Sequence, residues 1–188
     1  MTQRRDALAE AATDYVLAHG LIGLSLRPLA HAIGTSDRML LYHFANKDDL
    51  TATVLRVSND RSVAPIRTLE PSSDARQGVM DLWSVVSRPE LARCQRLYVE
   101  AAALGVLGTE PFASVVAEAN QVWLTALADH LVASGVRRAD GDRAARLVEA
   151  AFMGLQLDEP LETPADLDRS VADLADAVAR LWGRSRHE

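Results

Sequence analysis

Leu29, Ile33, Leu40 and Phe44 stand four apart in two pairs, one pair on each side of a Gly34-Thr35-Ser36 break. A spacing of four puts both members of a pair on one face of a helix. The pairs can face each other only if two short helices cross sharply at the break, which is the packing of a helix-turn-helix. With those four inside, the second helix must turn Arg38, Leu41, Tyr42 and Ala45 outward, at offsets of 0, 3, 4 and 7. That stripe is odd as plain surface but suits a groove-reading face. Arginine pairs with guanine edges, leucine meets a thymine methyl, and tyrosine reaches a phosphate or a base.

The remaining patterns are helical as well. Hydrophobic residues make up 48% of the 188 and aromatics only 5%, so the core is aliphatic and alanine-rich. Strand-length β-branched runs are missing, and alanine and leucine favour helix. The spacing predicts helices over 4–19, 25–33, 36–44 and 46–62, with Gly20 as a stop and Ser25, Thr35 or Ser36, and Asn46 as caps. Pro65, Pro71 and the polar run EPSSD look like a linker. Five further helices are expected over about 74–87, 89–105, 111–134, 142–157 and 164–182. The expected fold is all-α, with about nine helices. The expected division is a three-helix domain with the helix-turn-helix over residues 1–48 and a helical domain over residues 49–188.

Charge alone does not point to nucleic acid. The net charge is −6, and residues 1–60 carry six basic against seven acidic groups. Non-specific affinity rises with the number of phosphates neutralised, so so few cations make binding depend on dimerisation and specific contacts. Lys47 lies in the first turn of the fourth helix, where an ammonium and free backbone N–H groups suit a phosphate. Arg27, early in the second helix, is placed for the flanking backbone or groove edge.

The run LSLRPLAHAIGTSDRMLLYHFANKDDL resembles the N-terminal DNA-binding domain of TetR-family (TetR/AcrR-type) transcriptional regulators. Gly34, Ser36, Leu40, His43, Phe44, Lys47 and Leu50 carry the resemblance, which spans residues 5–55. It implies a DNA-contacting set of Arg27, Thr35, Ser36, Arg38, Leu41, Tyr42, His43 and Lys47, and double-stranded DNA with a pseudo-palindromic operator as partner. Two positions depart from the family pattern: Leu41 stands where tyrosine is usual, and Arg38 where a small residue is common. Both lie on the reading face, so the resemblance carries over no operator sequence.

In the last helix Leu167, Val171, Leu174, Val178 and Leu181 alternate steps of four and three. The helix before it offers Leu147, Ala151 and Leu155, with Gly154 permitting close approach. The pattern fits either intrachain core or a self-association face, and the resemblance implies a homodimer through these two helices. It also implies a small-molecule effector site among the middle helices. Met80, Trp83, Tyr98, Asn120, Trp123 and Phe152 are candidate lining residues, with Glu100 as a possible cation partner or a solvated side chain.

No nucleophile–base set, phosphate loop or nucleophile elbow occurs, so an enzyme is not expected. His19, His31, His43, His130 and His187 lack metal-ligand spacing, and neither metal nor cofactor is expected. The lone Cys94 suits a reducing cytosol and packing. No run approaches the ~18 apolar residues of a membrane span, and the N-terminus turns acidic where a secretory signal is apolar. The chain therefore reads as a cytoplasmic, ligand-responsive repressor. The alternatives are a DNA-binding regulator with no small-molecule effector, and a helical enzyme carrying a remnant first domain.

Overall fold

The computed structural model describes residues 2–183, and among them the chain is all-helical. Its helices are α1 (Thr2–His19), α2 (Leu26–Ala32), α3 (Asp37–His43), α4 (Lys47–Arg67), α5 (Ala75–Val86), α6 (Pro89–Val106), α7 (Phe112–Ala133), α8 (Gly141–Asp158) and α9 (Pro164–Trp182). Single 3-10 turns at Arg138–Asp140 and Glu159–Leu161 flank α8. Contacts gather the chain into two compact units, Met1–Ser62 with Pro89–Asn120, and Val63–Arg88 with Gln121–Glu188. The expected boundary at 48/49 thus falls within α4, and α6 belongs to the first unit.

The first unit is built on one apolar cluster. Leu8, Ala12 and Val16 of α1 join Leu29 of α2, Leu40 of α3, Phe44, and Leu50 and Val54 of α4. Leu97 and Ala101 of α6 enter the same cluster, which is why α6 groups with the helix-turn-helix rather than with the later helices. Full burial of such side chains stabilises by roughly 1.5–3 kcal/mol each. On the outside, Arg61 of α4 pairs with Glu10 and with Asp14 of α1, the latter at 2.7 Å.

In the second unit α9 packs along α5 and against α8. Gly78 of α5 is required by close approach, because a Cβ there would stand 2.8 Å from the Cβ of Ser134. The end of α9 is pinned by an antiparallel bridge between Val136 and Gly183, where the Arg137 N–H donates to the Trp182 carbonyl at 3.0 Å. α4 does not stop near residue 62 as expected. It continues through Pro65 to Arg67, because Val63 and Ile66 are buried and their packing outweighs the lost hydrogen bond.

Beside Gly78 lies a partly buried polar cluster that no local sequence pattern marks. The Ser72 hydroxyl donates to Asp81 at 2.6 Å, and the Ser72 N–H donates to the Ser134 hydroxyl at 3.0 Å. His130 is buried, with Nε2 3.3 Å from the Ser134 hydroxyl. Burial holds the His130 pKa below its ordinary value, and nearby Asp81 offsets part of that. The folded state then binds fewer protons than the unfolded one below about pH 6.5, where a free imidazole charges. The stabilisation is complete above that pH and is lost as pH falls toward the depressed folded value. Urea titrations should show stability falling from pH 7 to pH 5.5, by at most about 1.4 kcal/mol per pH unit from this group. His130→Gln should flatten that part of the slope, and an unchanged slope in the variant would remove His130 as its source.

Candidate nucleic-acid interface

The turn between α2 and α3 is closed by two hydrogen bonds. The Thr35 N–H donates to the Ala30 carbonyl at 2.9 Å, and the Gly34 N–H donates to the His31 carbonyl at 3.2 Å. This pairing is the Schellman arrangement, which needs a left-handed residue after the helix, and Gly34 supplies it with φ +70°. Ser36 then caps α3, its hydroxyl accepting from the Met39 N–H at 3.2 Å. Of the two capping candidates, Ser36 is the one that acts.

Leu29, Leu40 and Phe44 are fully buried and Ile33 packs at the edge of the same cluster. The opposite side of α3 faces solvent. Leu41 is 49% exposed and Tyr42 66%, with Arg38 and Ala45 exposed beside them. The Tyr42 ring meets His43 edge-on at 5.1 Å between centroids. Thr35 and His43 are half-buried, while Arg27, Ser36 and Lys47 are exposed. Lys47 opens α4, whose start is capped by the Asn46 side-chain oxygen accepting from the Asp49 N–H at 2.8 Å.

Charge is sorted around this face. Arg5 is paired with Asp49, Arg56 with Glu118 and Arg61 with Glu10 and Asp14. Among the described residues Arg4, Arg27, Arg38 and Lys47 have no carboxylate partner. Arg93 and Arg96 of α6 likewise have no carboxylate partner among the described residues, so the unpaired cations of the first unit are not confined to the surroundings of α3. Met39 is 43% exposed beside the stripe and Arg4 is exposed on α1, and helical periodicity marks neither.

The other predicted residues are placed as follows. Val171 and Val178 of α9 are each 0% exposed, so they belong to the core of the second unit and cannot meet a second chain. Leu147 and Leu181 are exposed, and Ala151, Leu155, Leu167 and Leu174 are half-buried. A Cβ at Gly154 would have nothing within 4 Å. Of the candidate effector residues, Trp83 and Phe152 meet at 5.1 Å between ring centroids, with Phe152 buried. Met80, Trp83 and Trp123 of the second unit are half-buried, as are Tyr98 and Asn120 of the first. A cavity of about 370 Å³ in the second unit is lined by Ala128, Val132, Arg138 and Gly141 among others, and by none of the six. Glu100 is neither a solvated side chain nor a free cation partner, since its carboxylate accepts from the Leu21 and Ile22 N–H groups at 2.7 and 3.0 Å. Cys94 is buried, and His187 lies outside the described residues. Among the described residues no helix is long and apolar enough to cross a membrane.

The architecture matches solved transcriptional regulators over nearly its whole length. A transcriptional regulator from Rhodococcus sp. Rha1 superposes with a TM-score of 0.78 at 22% identity, covering 96% of this chain and 98% of that one. A TetR-family transcriptional regulator from Streptomyces coelicolor gives 0.69 at 19% identity, covering 96% of each chain. The chain has the TetR-family fold. A protein from Saccharomonospora viridis, solved in complex with choline, gives 0.70 at 18% identity, covering 98% of this chain and 100% of that one. A scan of protein-family models finds no match, and neither does a search of the curated proteins. The all-helical fold implied by the sequence resemblance is the fold observed, with the TetR-type helix-turn-helix formed by α2 and α3.

Arg38 is the charged member of the exposed α3 stripe. If it reads a base edge, Arg38→Ala should lose about 1–3 kcal/mol of binding and relax preference at one base position of a selected duplex. Uniform weakening across sequences, with a shallower salt dependence, would assign it to a phosphate instead.

Proposed function

We propose that this chain is a homodimeric, sequence-specific DNA-binding transcriptional regulator that acts in the cytoplasm as a ligand-responsive repressor. The observation that carries this reading is the exposed Arg38-Leu41-Tyr42 stripe on a capped helix whose opposite side is locked in the core. The TetR fold supports it, and so does the sequence resemblance over residues 5–55. The DNA-contacting set is Arg27, Thr35, Ser36, Arg38, Leu41, Tyr42, His43 and Lys47. The partner is a pseudo-palindromic duplex read by two copies of α3 in successive major grooves, about 34–36 Å apart.

The dimer forms through α8 and α9, by the faces that carry Leu147, Ala151, Gly154 and Leu155, and Leu167, Leu174 and Leu181. An effector bound among the middle helices prefers one of two states, α4 carries the shift to the helix-turn-helix, and operator affinity falls. A coupling of about 1–3 kcal/mol is typical of such switches. Choline bound to the Saccharomonospora viridis protein supports a small-molecule site in this fold. A second reading, regulation without a small molecule, is favoured by the packing of Trp83 against buried Phe152, which fills the space between two of the six expected residues with side chains.

Selection of bound duplexes from random DNA tests the reading directly, and a two-fold-symmetric consensus is the expected result. Metabolite screening for release from that duplex then separates the two regulatory readings. Leu147→Glu with Leu181→Glu should convert the dimer to a monomer by light scattering and weaken operator binding at least tenfold, about 1.4 kcal/mol. A dimer that survives both substitutions places the interface elsewhere.

A further inference from the structure

We propose that Arg5 is a positioning residue for DNA reading: it fixes the corner between α3 and α4 and does not touch DNA itself. The proposal rests on the DNA-binding reading above. From α1, the Arg5 guanidinium reaches three groups on two other elements. Its Nε donates to the His43 carbonyl at 3.2 Å, on the last residue of α3. Its Nη2 donates to Asp49 Oδ1 at 3.3 Å and to the Thr53 hydroxyl at 3.2 Å, in the first two turns of α4. The guanidinium carbon sits 4.7 Å from the centroid of the Phe44 ring.

Asp49 extends the tie. Its second carboxylate oxygen accepts from the Ala45 N–H at 3.0 Å, while its own N–H donates to Asn46 Oδ1 at 2.8 Å. The segment 43–49 is thereby held at both ends and in the middle. Tyr42 leads into this segment and His43 and Lys47 lie within it, so the clamp sets where these three side chains stand.

Two physical facts make an outside clamp necessary. α3 has seven residues, too short to hold its own shape in water. A helix also leaves its last carbonyls without intrahelical donors, and a cation there opposes its dipole. Arg5 meets both needs at His43. Its fork geometry is what the site uses, since lysine offers a point charge that cannot span a carbonyl, a carboxylate and a hydroxyl together. Among the described residues the adjacent Arg4 is exposed and pairs with no carboxylate, so neighbouring arginines on α1 differ in whether they tie the corner.

The test measures Arg5→Gln and Arg5→Lys in the full chain against two duplexes, one selected by the wild-type protein and one scrambled to the same length. Helix content and dimer mass are checked first, and salt dependence is recorded for each. The expected result for Arg5→Gln is a loss of about tenfold or more on the selected duplex. Affinity for the scrambled duplex and the slope of log K against log salt should stay at wild-type values. Arg5→Lys keeps the charge and should still lose severalfold on the selected duplex, which keeps the proposal open to test if Arg5→Gln does not fold. A slope reduced by about 0.9 with both affinities lowered would mark a phosphate contact and overturn the proposal. Lowered melting temperature with unchanged operator affinity would reduce Arg5 to a structural residue and overturn it as well. A wild-type chain that enriches no duplex overturns the DNA-binding reading and this proposal with it, whereas a wild type that binds beside equally tight variants overturns this proposal alone.

Discussion

Leu29, Leu40 and Phe44 are buried in one cluster with α1, α4 and α6, and α3 has no freedom left once they are. A seven-residue helix with Leu40 pointing inward and Phe44 just beyond its end has only one orientation about its axis that satisfies both. Arg38, Leu41 and Tyr42 then face water by default. Their exposure costs something: two large apolar surfaces remain wet that a plain solvent-facing helix would fill with lysine or glutamate. A surface maintained at that cost and anchored so firmly behind has the character of a contact surface. The Gly34 turn contributes by closing its own hydrogen bonds, so that no backbone donor in the turn competes for a partner elsewhere.

The charge distribution follows the same division between holding and reading. A chain of net charge −6 gains little from general attraction to a polyanion. Its first unit uses Arg5, Arg56 and Arg61 to tie helices together. These pairs are partly or largely exposed, and exposed pairs contribute at most about 1 kcal/mol each. A cation paired with a carboxylate adds little to the general attraction for phosphate, so these pairs keep non-specific affinity for a polyanion low. Specificity is the ratio of specific to non-specific affinity, and lowering the second term raises it as surely as improving the first.

Helix positions were legible in the sequence because each is written locally. Gly20, Gly34, Ser36, Thr163 and Pro164 mark ends that the structure reproduces within a residue or two. The inward and outward sides of α3 were legible for the same reason, since Leu29, Leu40 and Phe44 leave one solution. What failed depended on partners far along the chain. α4 passes Pro65 because Val63 and Ile66 find burial that no local rule reveals. The α9 seam divided between core and surface because steps of three and four describe a stripe without saying which edge of it faces in. Val171 and Val178 took the core side, and Leu181 the surface. Arg5 and Asp49 are 44 residues apart, and Ser72 and His130 are 58, so neither tie has a signature in any short window.

Glu100 ties α6 to the turn that leads into the helix-turn-helix. Its carboxylate holds the N–H groups of Leu21 and Ile22, the residues that carry the chain from α1 toward α2. Those two donors belong to a turn, where no helix or strand would otherwise satisfy them, and hydrogen bonds to a carboxylate are about twice as strong as neutral ones. α6 is fastened a second time through Leu97 and Ala101, which share the cluster that holds Leu29 and Leu40. A shift of α6 along its axis therefore has two outcomes. Either the α1–α2 turn follows and the helix-turn-helix moves with it, or two charge-assisted bonds break and two backbone donors are left to solvent. Within the first unit, α6 is therefore tied to the helix-turn-helix twice, through one acidic side chain and through the core beneath it.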